Sequence, residues 1–154
     1  MTIRAATPAD AEELRALIES VEGFASLKAL PEDERRACVA QHLAQALSGD
    51  DHQVFVATEG DAGRILGYVA VHFLPYLILT GPEGFVSELF VTEDARGQGV
   101  GRALLERVTD EARARGCRRL SLLNMTDRES YARGFYQKSG WEERETARNF
   151  IRTV

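Results

Sequence analysis

The chain has 154 residues, of which 44% are hydrophobic and 28% charged, and its formal net charge is −5. A chain of this length is typical of a single domain, here residues 1–154, that buries about two thirds of its unfolded surface. The acidic balance disfavours nucleic acid as a partner. With no apolar run that could span a bilayer and no signal-peptide pattern, the sequence predicts a cytoplasmic protein without a membrane partner.

Cysteine and histidine give no sign of a metal centre. Cys38 and Cys117 are too few for a disulfide framework, and no Cys/His cluster has metal-ligand spacing. His42, His52 and His72 fall in different predicted elements. The sequence therefore predicts neither a metal site nor a catalytic histidine dyad.

The N-terminal half predicts a strand, two helices and a hairpin. Thr7 and Pro8 provide an N-cap and a first-turn proline for the first helix. The turn at 60–63 joins two strands rich in β-branched residues. In chain order the predicted elements are strand 2–6, helix 9–19, loop 21–30, helix 31–47, and strands 53–58 and 65–74, with residues 76–79 as an extension of the last strand.

The C-terminal half alternates strands and helices. Leu104, Leu105, Val108 and Ala112 form an apolar stripe at helical spacing, and Gly116 ends that helix. The predicted elements are a turn at 81–84, strand 85–91, helix 100–115, buried strand 120–124, helix 130–138, and one or two strands from residue 141, including 149–153. The order β-α-α-β-β-β-α-β-α-β-β predicts an α/β fold with a mixed, mostly antiparallel sheet and helices on both faces.

A glycine-rich segment opens the helix at residue 100 and contradicts ordinary helix preferences. Gly97, Gly99 and Gly101 each destabilise a helix by about 1 kcal/mol relative to alanine. Arg96 and Arg102 place positive charge at the helix end that favours anions. Main-chain N–H groups, the helix dipole and two guanidinium groups together predict a site for a phosphate-like anion. A flexible turn without a ligand is the alternative.

Two phosphate-binding motifs are missing from this segment, which disfavours a dinucleotide or a nucleoside triphosphate as the anion. A dinucleotide fingerprint would need glycine at position 102, which is Arg102, and a P-loop would need a Gly-Lys-Ser/Thr ending, which does not occur. Arg96-x-x-Gly99-x-Gly101, after the strand Glu88-Leu89-Phe90-Val91, instead resembles the coenzyme A pyrophosphate loop of the GNAT superfamily of N-acetyltransferases. Downstream, Ala132-x-x-Phe135-Tyr136-x-x-x-Gly140-Trp141 resembles a second motif of that family, so the resemblance covers about residues 65–141.

The resemblance implies acetyl-CoA as the co-substrate and no metal. It assigns the backbone of the strand to the pantetheine arm and the loop to the pyrophosphate. The implied cofactor-binding residues are Leu89, Phe90, Val91, Arg96, Gly97, Gln98, Gly99, Val100, Gly101 and Arg102. Family members often have Asn seven residues before the tyrosine, but this chain has Glu129 there, so that contact is not carried over.

Two residues are candidates for the chemistry. Glu88 lies within an apolar strand beside the glycine loop, where partial burial would make it a useful general base. The resemblance implies that Tyr136 donates a proton to the departing thiolate. Glu88 as a strand or ion-pair residue, and Tyr136 as a packing residue, are the structural alternatives.

The acceptor is less defined by the sequence. The resemblance places its pocket at residues 21–30 and 73–79, whose mixed apolar and acidic composition suits a small-molecule amine or a peptide. The sequence thus predicts an acetyl-CoA-dependent N-acetyltransferase that acts by direct attack on a primary amine in a ternary complex. A noncatalytic acyl-CoA-binding sensor is the alternative. A homodimer through the C-terminal strands is also expected, because edge strands favour pairing.

Overall fold

The computed structural model describes residues 1–61 and 63–154. Ala62, in the predicted hairpin turn, lies outside the described residues. The chain divides into two compact units, Met1–Leu122 and Leu123–Val154. None of the helices in the described residues is long and apolar enough to cross a membrane.

The first unit contains all the strands of the described chain. Its helices and strands follow the predicted order, and the loop predicted at 21–30 contains one short helix. The elements are β1 (Thr2–Ala5), α1 (Ala11–Ser20), α2 (Ala25–Lys28), α3 (Glu32–Ala46), β2 (His52–Thr58), β3 (Ile65–Leu74), β4 (Glu83–Val91), α4 (Val100–Ala114) and β5 (Arg119–Leu122).

The five strands form one mixed sheet in the order β1-β2-β3-β4-β5. The first three pairings are antiparallel, and β4 pairs with β5 in parallel. A parallel neighbour requires a crossover, and α4 supplies it between β4 and β5. The predicted α/β fold with a mostly antiparallel sheet is confirmed.

Helices cover both faces of the sheet, as the sequence predicts. On one face, Leu14 of α1 and Leu43 of α3 pack in a buried cluster with Val54 and Val56 of β2. On the other, the Arg107 guanidinium of α4 lies 4.2 Å above the ring of Phe55. Because successive strand residues point to opposite faces, these contacts identify two separate layers of helix. The predicted apolar stripe of α4 is buried: Leu104, Leu105, Val108 and Ala112.

Strand β4 contains a bulge that sets the geometry of the candidate site. Ala70 of β3 pairs with Glu88, but the next residue, Val71, pairs with Val86. Ser87 is therefore an extra residue in β4. A bulge of this kind bends the strand and re-aims the side chains beside it.

Several details of the first unit differ from the sequence prediction. Strand β4 begins at Glu83, inside the predicted turn 81–84, because the Glu83 side chain is buried and paired with β5. Residues 76–79 do not extend β3 and instead form a turn in which the Leu79 N–H donates to the Tyr76 carbonyl at 3.2 Å. Strand β5 is half-buried, not buried, because it is at the edge of the sheet.

The second unit is helical where it is regular. The predicted helix 130–138 is two short helices, α5 (Glu129–Ala132) and α6 (Phe135–Lys138), separated by Gly134 at φ 61°. The predicted strands at 141–154 are wrong, since no strand is assigned there. Residues 142–154 are all exposed, so they present no apolar face for a sheet to bury. The expected homodimer through these strands loses its structural basis.

A buried ion pair connects β5 with β4. The Glu83 carboxylate, 6% exposed, accepts hydrogen bonds from Arg119 Nε and Ser121 Oγ of β5. Glu83 also pairs with Arg119 in the strand register. A carboxylate this deeply buried requires such partners, because an unpaired charge there is strongly destabilising.

We expect Glu83→Gln to lower the free energy of unfolding by about 2 kcal/mol, because Arg119 loses its countercharge. Removing one partner of a fully buried ion pair destabilises a protein by about 3–5 kcal/mol. The expected loss is smaller here because Arg119 is partly exposed. Urea denaturation measures the loss. Asp110→Asn is the matched control, since Asp110 pairs with Arg113 at 2.9 Å with both side chains well exposed. It should cost under about 1 kcal/mol. Equal losses in the two variants would contradict the assignment.

Candidate active site

Glu88 lies directly after the bulge, on a surface that is open to solvent. Both Ser87 and Glu88 are exposed, and the residue paired with Glu88 is the small Ala70. The partial burial that the sequence argument invoked for Glu88 is therefore wrong. Most residues of β4 are apolar, but Ser87 and Glu88 are exposed, whereas Val86 is buried and Leu89 is half-buried.

The Glu88 carboxylate is held by a buried tyrosine. The Tyr68 hydroxyl donates a hydrogen bond of 2.6 Å to Glu88 Oε2. Tyr68 is only 4% exposed, and burial, followed by the nearby Glu88 carboxylate, raises the pKa of its hydroxyl. The hydroxyl thus stays protonated at any working pH and remains a donor. Sequence reasoning missed Tyr68, whose position diagonally across the β3–β4 ladder follows only from the bulged register.

Aromatic rings continue from Tyr68 along the same face. The Phe90 ring centroid is 5.8 Å from that of Tyr68 and 5.3 Å from that of Phe24. The Phe24 and Phe90 planes meet at 83°, which is the edge-to-face arrangement that aromatic pairs prefer. Phe24 precedes α2, in the segment that the sequence analysis assigned to the acceptor.

One edge of β4 has two different environments along its length. The pairing with β5 runs only from Glu83 to Val86, whereas the pairing with β3 continues to Val91. Beyond Val86, no strand of the described residues pairs with the β5-side edge of β4. Main-chain groups of residues 87–91 on that edge therefore have no strand partner among the described residues, which is what an extended, amide-bearing ligand requires.

Two glycines of the loop have left-handed backbone conformations. Gly97 and Gly99 have φ values of 78° and 84°, a region that disfavours residues with a Cβ. Gly99 is the N-cap of α4 and has no side-chain cap, while Val100, 2% exposed, anchors the helix start in the core. The N-terminal amides of a 15-residue helix thus open onto an exposed loop.

Two arginines flank the loop, and Asp94, just before it, is paired with a third. Arg96 and Arg102 are exposed on either side of the loop glycines. Asp94, just before the loop, pairs with Arg64 at 2.7 Å. The hydrogen bond from Arg64 lowers the pKa of Asp94 to about 2. Arg64 also contacts Glu59 at 3.1 Å. Sequence reasoning missed Arg64, which precedes β3 and is distant along the chain from the loop that it screens.

The remaining family-implied residue, Tyr136, lies in the second unit. It is half-buried in α6, with its ring 4.9 Å from that of Phe135 and 6.2 Å from that of Trp141. Burial raises the pKa of the Tyr136 hydroxyl, so the group is protonated and able to donate. Glu129, at the start of α5, pairs with Arg133 at 3.4 Å. These contacts describe the second unit by itself.

Two histidines that the sequence analysis treated as scattered are neighbours. His52 and His72 are paired in the β2–β3 register, and their Nε2 atoms lie 2.8 Å apart. His72 Nε2 is also 2.9 Å from Ser87 Oγ. The hairpin register between the two strands would have revealed this pair. Burial and the nearby His52 lower the pKa of His72. In the described part of the chain, no group of three or more His, Cys, Asp or Glu side chains could hold a metal ion.

The chain belongs to the acetyltransferase (GNAT) family, whose model matches residues 15–141. It is 32% identical over 148 residues to aminoglycoside N(6')-acetyltransferase type 1 of Stenotrophomonas maltophilia, covering 94% of this chain and 88% of that protein. It is 34% identical over 100 residues to glucosamine 6-phosphate N-acetyltransferase 1 of Oryza sativa subsp. japonica. That match covers 64% of this chain and 58% of the rice protein, so the chain spans under two thirds of that relative's length.

Solved structures show the same fold. A transcriptional regulator from Bacillus halodurans C-125 matches with a TM-score of 0.83 at 23% identity over 99% of both chains. Glucosamine-6-phosphate N-acetyltransferase from Arabidopsis thaliana matches with a TM-score of 0.75 at 22% identity over 97% of both chains. The predicted family and fold are thus confirmed.

The lowered pKa of His72 predicts a loss of stability in mild acid. At a pH below 6.5, the ordinary pKa of histidine, His72 of the unfolded chain binds a proton more readily than His72 of the folded chain. The free energy of unfolding is therefore highest above that pH and falls as the pH decreases. We expect the melting temperature to fall between pH 7.5 and 5.5, and His72→Gln to reduce this fall. Thermal denaturation across that range measures it. His42→Gln, at an exposed site in α3, is the control. Parallel pH profiles for His72→Gln and wild type would contradict the prediction.

Proposed function

We propose that the protein transfers an acetyl group from acetyl-CoA to a primary amine by direct attack in a ternary complex. The observation that carries this proposal is the position of Glu88 on β4. Its carboxylate is exposed and oriented by Tyr68, beside the unpaired strand edge that leads into the glycine loop. The match at residues 15–141 includes parts of both compact units, so we treat 1–154 as one acetyltransferase domain.

The residues present suit coenzyme A. Main-chain groups of Leu89, Phe90 and Val91 would pair with the amides of the pantetheine arm as an added strand would. The loop from Arg96 through Gly97, Gln98, Gly99, Val100 and Gly101 to Arg102 would hold the pyrophosphate. Its helix N-terminus and left-handed glycines favour a close approach by anionic oxygens. Acetyl-CoA supplies the activated acetyl group as a thioester.

Proton removal is the step that needs a protein base. An alkylamine with a pKa of about 10.4 is mostly protonated at neutral pH, so the free amine costs about 4 to 5 kcal/mol. Glu88 removes one proton from the ammonium, directly or through a water molecule, and the free amine nitrogen then bonds to the acetyl carbon. The tetrahedral adduct loses a second nitrogen proton to solvent as the carbon–sulfur bond breaks, and Tyr136 would protonate the departing thiolate. Neither cysteine is needed, because no acyl-enzyme intermediate forms.

The acceptor proposed is a small molecule. The relatives from S. maltophilia and rice are named for an aminoglycoside and for glucosamine 6-phosphate. Both names denote amine-bearing small molecules, and this chain would act on a compound of that size class. A peptide amine is the second possibility for the same chemistry.

Glu88→Gln is expected to lower kcat about 100-fold, the lower end of the range for a lost general base. Acetyl-CoA affinity should stay within about twofold, because the loop and the strand backbone are unchanged. The deficit should be greatest at low pH, where the free amine is scarcest. Release of free thiol with a panel of amines measures kcat, and calorimetry measures affinity.

Glu106→Gln controls for the loss of a carboxylate, since Glu106 is exposed on α4. An unchanged rate for Glu88→Gln on every active amine would remove Glu88 from the mechanism. Tight acetyl-CoA binding by wild type without thiol release on any amine would instead indicate a sensor.

Arg96→Gln is expected to weaken acetyl-CoA binding about fivefold to tenfold, because an exposed guanidinium–phosphate contact is lost. Binding of acetyl-pantetheine, which has no pyrophosphate, should not change. Calorimetry with the two ligands separates these effects. Arg113→Gln, at an exposed site near the opposite end of α4, is the matched control. Equal weakening for both ligands would show that Arg96 acts through the fold instead.

A further inference from the structure

Three aromatic rings connect the candidate base to the segment before α2. Tyr68 bonds Glu88 at 2.6 Å, Phe90 packs on Tyr68, and Phe24 packs edge-to-face on Phe90. Phe24 is 38% exposed, and Glu88 is also exposed. The row of rings therefore has a solvent-accessible carboxylate beside one end and a solvent-accessible ring at the other.

The backbone at Phe24 is strained. Phe24 has φ 54° and ψ 39°, the left-handed conformation, and is the only residue other than glycine with positive φ among those described. A bulky residue in this region is a genuine outlier, and such strain concentrates at ligand-binding positions. Gly23, at φ 102°, precedes it.

Packing explains two of the rings but not the third. Tyr68 and Phe90 belong to the cluster formed with Leu14 and Leu17 of α1, so the core accounts for them. Phe24 is not part of that cluster, and the residue remains partly exposed to solvent. The chain thus holds an aromatic side chain in an unfavourable conformation without burying it fully.

We propose that Phe24, Phe90 and Glu88, with Tyr68 as a positioning residue, form an acceptor subsite selective for a primary ammonium attached to an apolar or aromatic body. This inference rests on the proposed function. The ammonium pairs with the Glu88 carboxylate, and Tyr68 fixes the position of that carboxylate through Oε2. The body of the acceptor lies against the rings of Phe90 and Phe24.

The chemistry of these groups disfavours other amines. Ring faces attract cations and apolar carbon, but they offer no hydrogen bonds to the hydroxyls of an amino sugar. The Glu88 carboxylate repels a phosphate group on the acceptor. An arylalkylamine therefore fits this subsite better than a hydroxylated or phosphorylated amine of similar size.

The test is a binding experiment that does not depend on turnover. Ligand-observed NMR titrations compare 2-phenylethylamine with ethanolamine and glucosamine 6-phosphate, in the presence of coenzyme A without an acetyl group. We expect 2-phenylethylamine to bind about tenfold tighter than either of the others.

Two variants at position 24 test whether the Phe24 ring causes the preference for 2-phenylethylamine. Phe24→Gly removes the ring and adopts this φ without strain, so the loop keeps its shape, and the preference should fall to about twofold or less. Phe24→Tyr keeps the ring and should retain the preference. Equal binding of the amines by wild type, tighter binding of glucosamine 6-phosphate, or an unchanged preference in Phe24→Gly would overturn the inference.

A separate measurement tests the proposed function. If wild type releases no thiol from acetyl-CoA with any amine, the transferase proposal is wrong, whereas the NMR preference still decides the subsite.

Discussion

The extra residue in β4 is the constraint on which the candidate site depends. Because Ser87 has no partner in β3, the strand bends between Val86 and Glu88. Pairing with β5 ends at Val86, on the same stretch of β4. The bulge therefore separates a structural half of the strand, which is paired on both edges, from a half with one unpaired edge. Both the proposed base and the proposed pantetheine contacts lie in the second half.

The structural half of β4 is stabilised by charge, and the open half by aromatic packing. Glu83 is buried and paired with Arg119, so β5 is held at the start of β4. On the open half, Phe90 packs in the core cluster while Glu88 projects to solvent beside it. Glu88 and Phe90 are two residues apart and share one face of the strand, so a rigid backbone places a polar group beside a packed ring. Sites on strands are positioned more accurately than sites on loops.

A net charge of −5 is compatible with the proposed anion site because the acidic charge beside that site is paired locally. Asp94 would oppose a phosphate at the loop, but Arg64 neutralises it in direct contact. Arg96 and Arg102 then contribute positive charge beside the amides of the α4 N-terminus. Since exposed charges are screened beyond about 8 to 10 Å in salt, the near arrangement matters more than the net charge.

Features that depend on neighbouring residues in the chain were predicted from the sequence, whereas features that depend on strand pairing were not. The apolar stripe of α4 follows from helical periodicity and is observed to be buried. The glycine loop before α4 was also predicted, and two of its glycines have positive φ, where a Cβ is disfavoured. The bulge is set by strand register, which no single segment encodes. Consequently the Tyr68–Glu88 bond was not predicted. The His52–His72 pair was missed for a different reason, since it requires only the register of the predicted β2–β3 hairpin. The C-terminal strands failed for a related reason, since a strand requires a partner that the segment itself does not specify.

The exposure of Glu88 changes how it would act as a base. Because Glu88 is open to solvent, the proposed mechanism relies on the positioning of its carboxylate. Tyr68 provides that positioning, because its buried ring is fixed by the core and its protonated hydroxyl engages one carboxylate oxygen. The same ring packs against Phe90, and Phe90 against Phe24. In the proposed mechanism, orientation of the base and selection of the acceptor would thus depend on one connected row of side chains. A substitution in the row would affect both functions together.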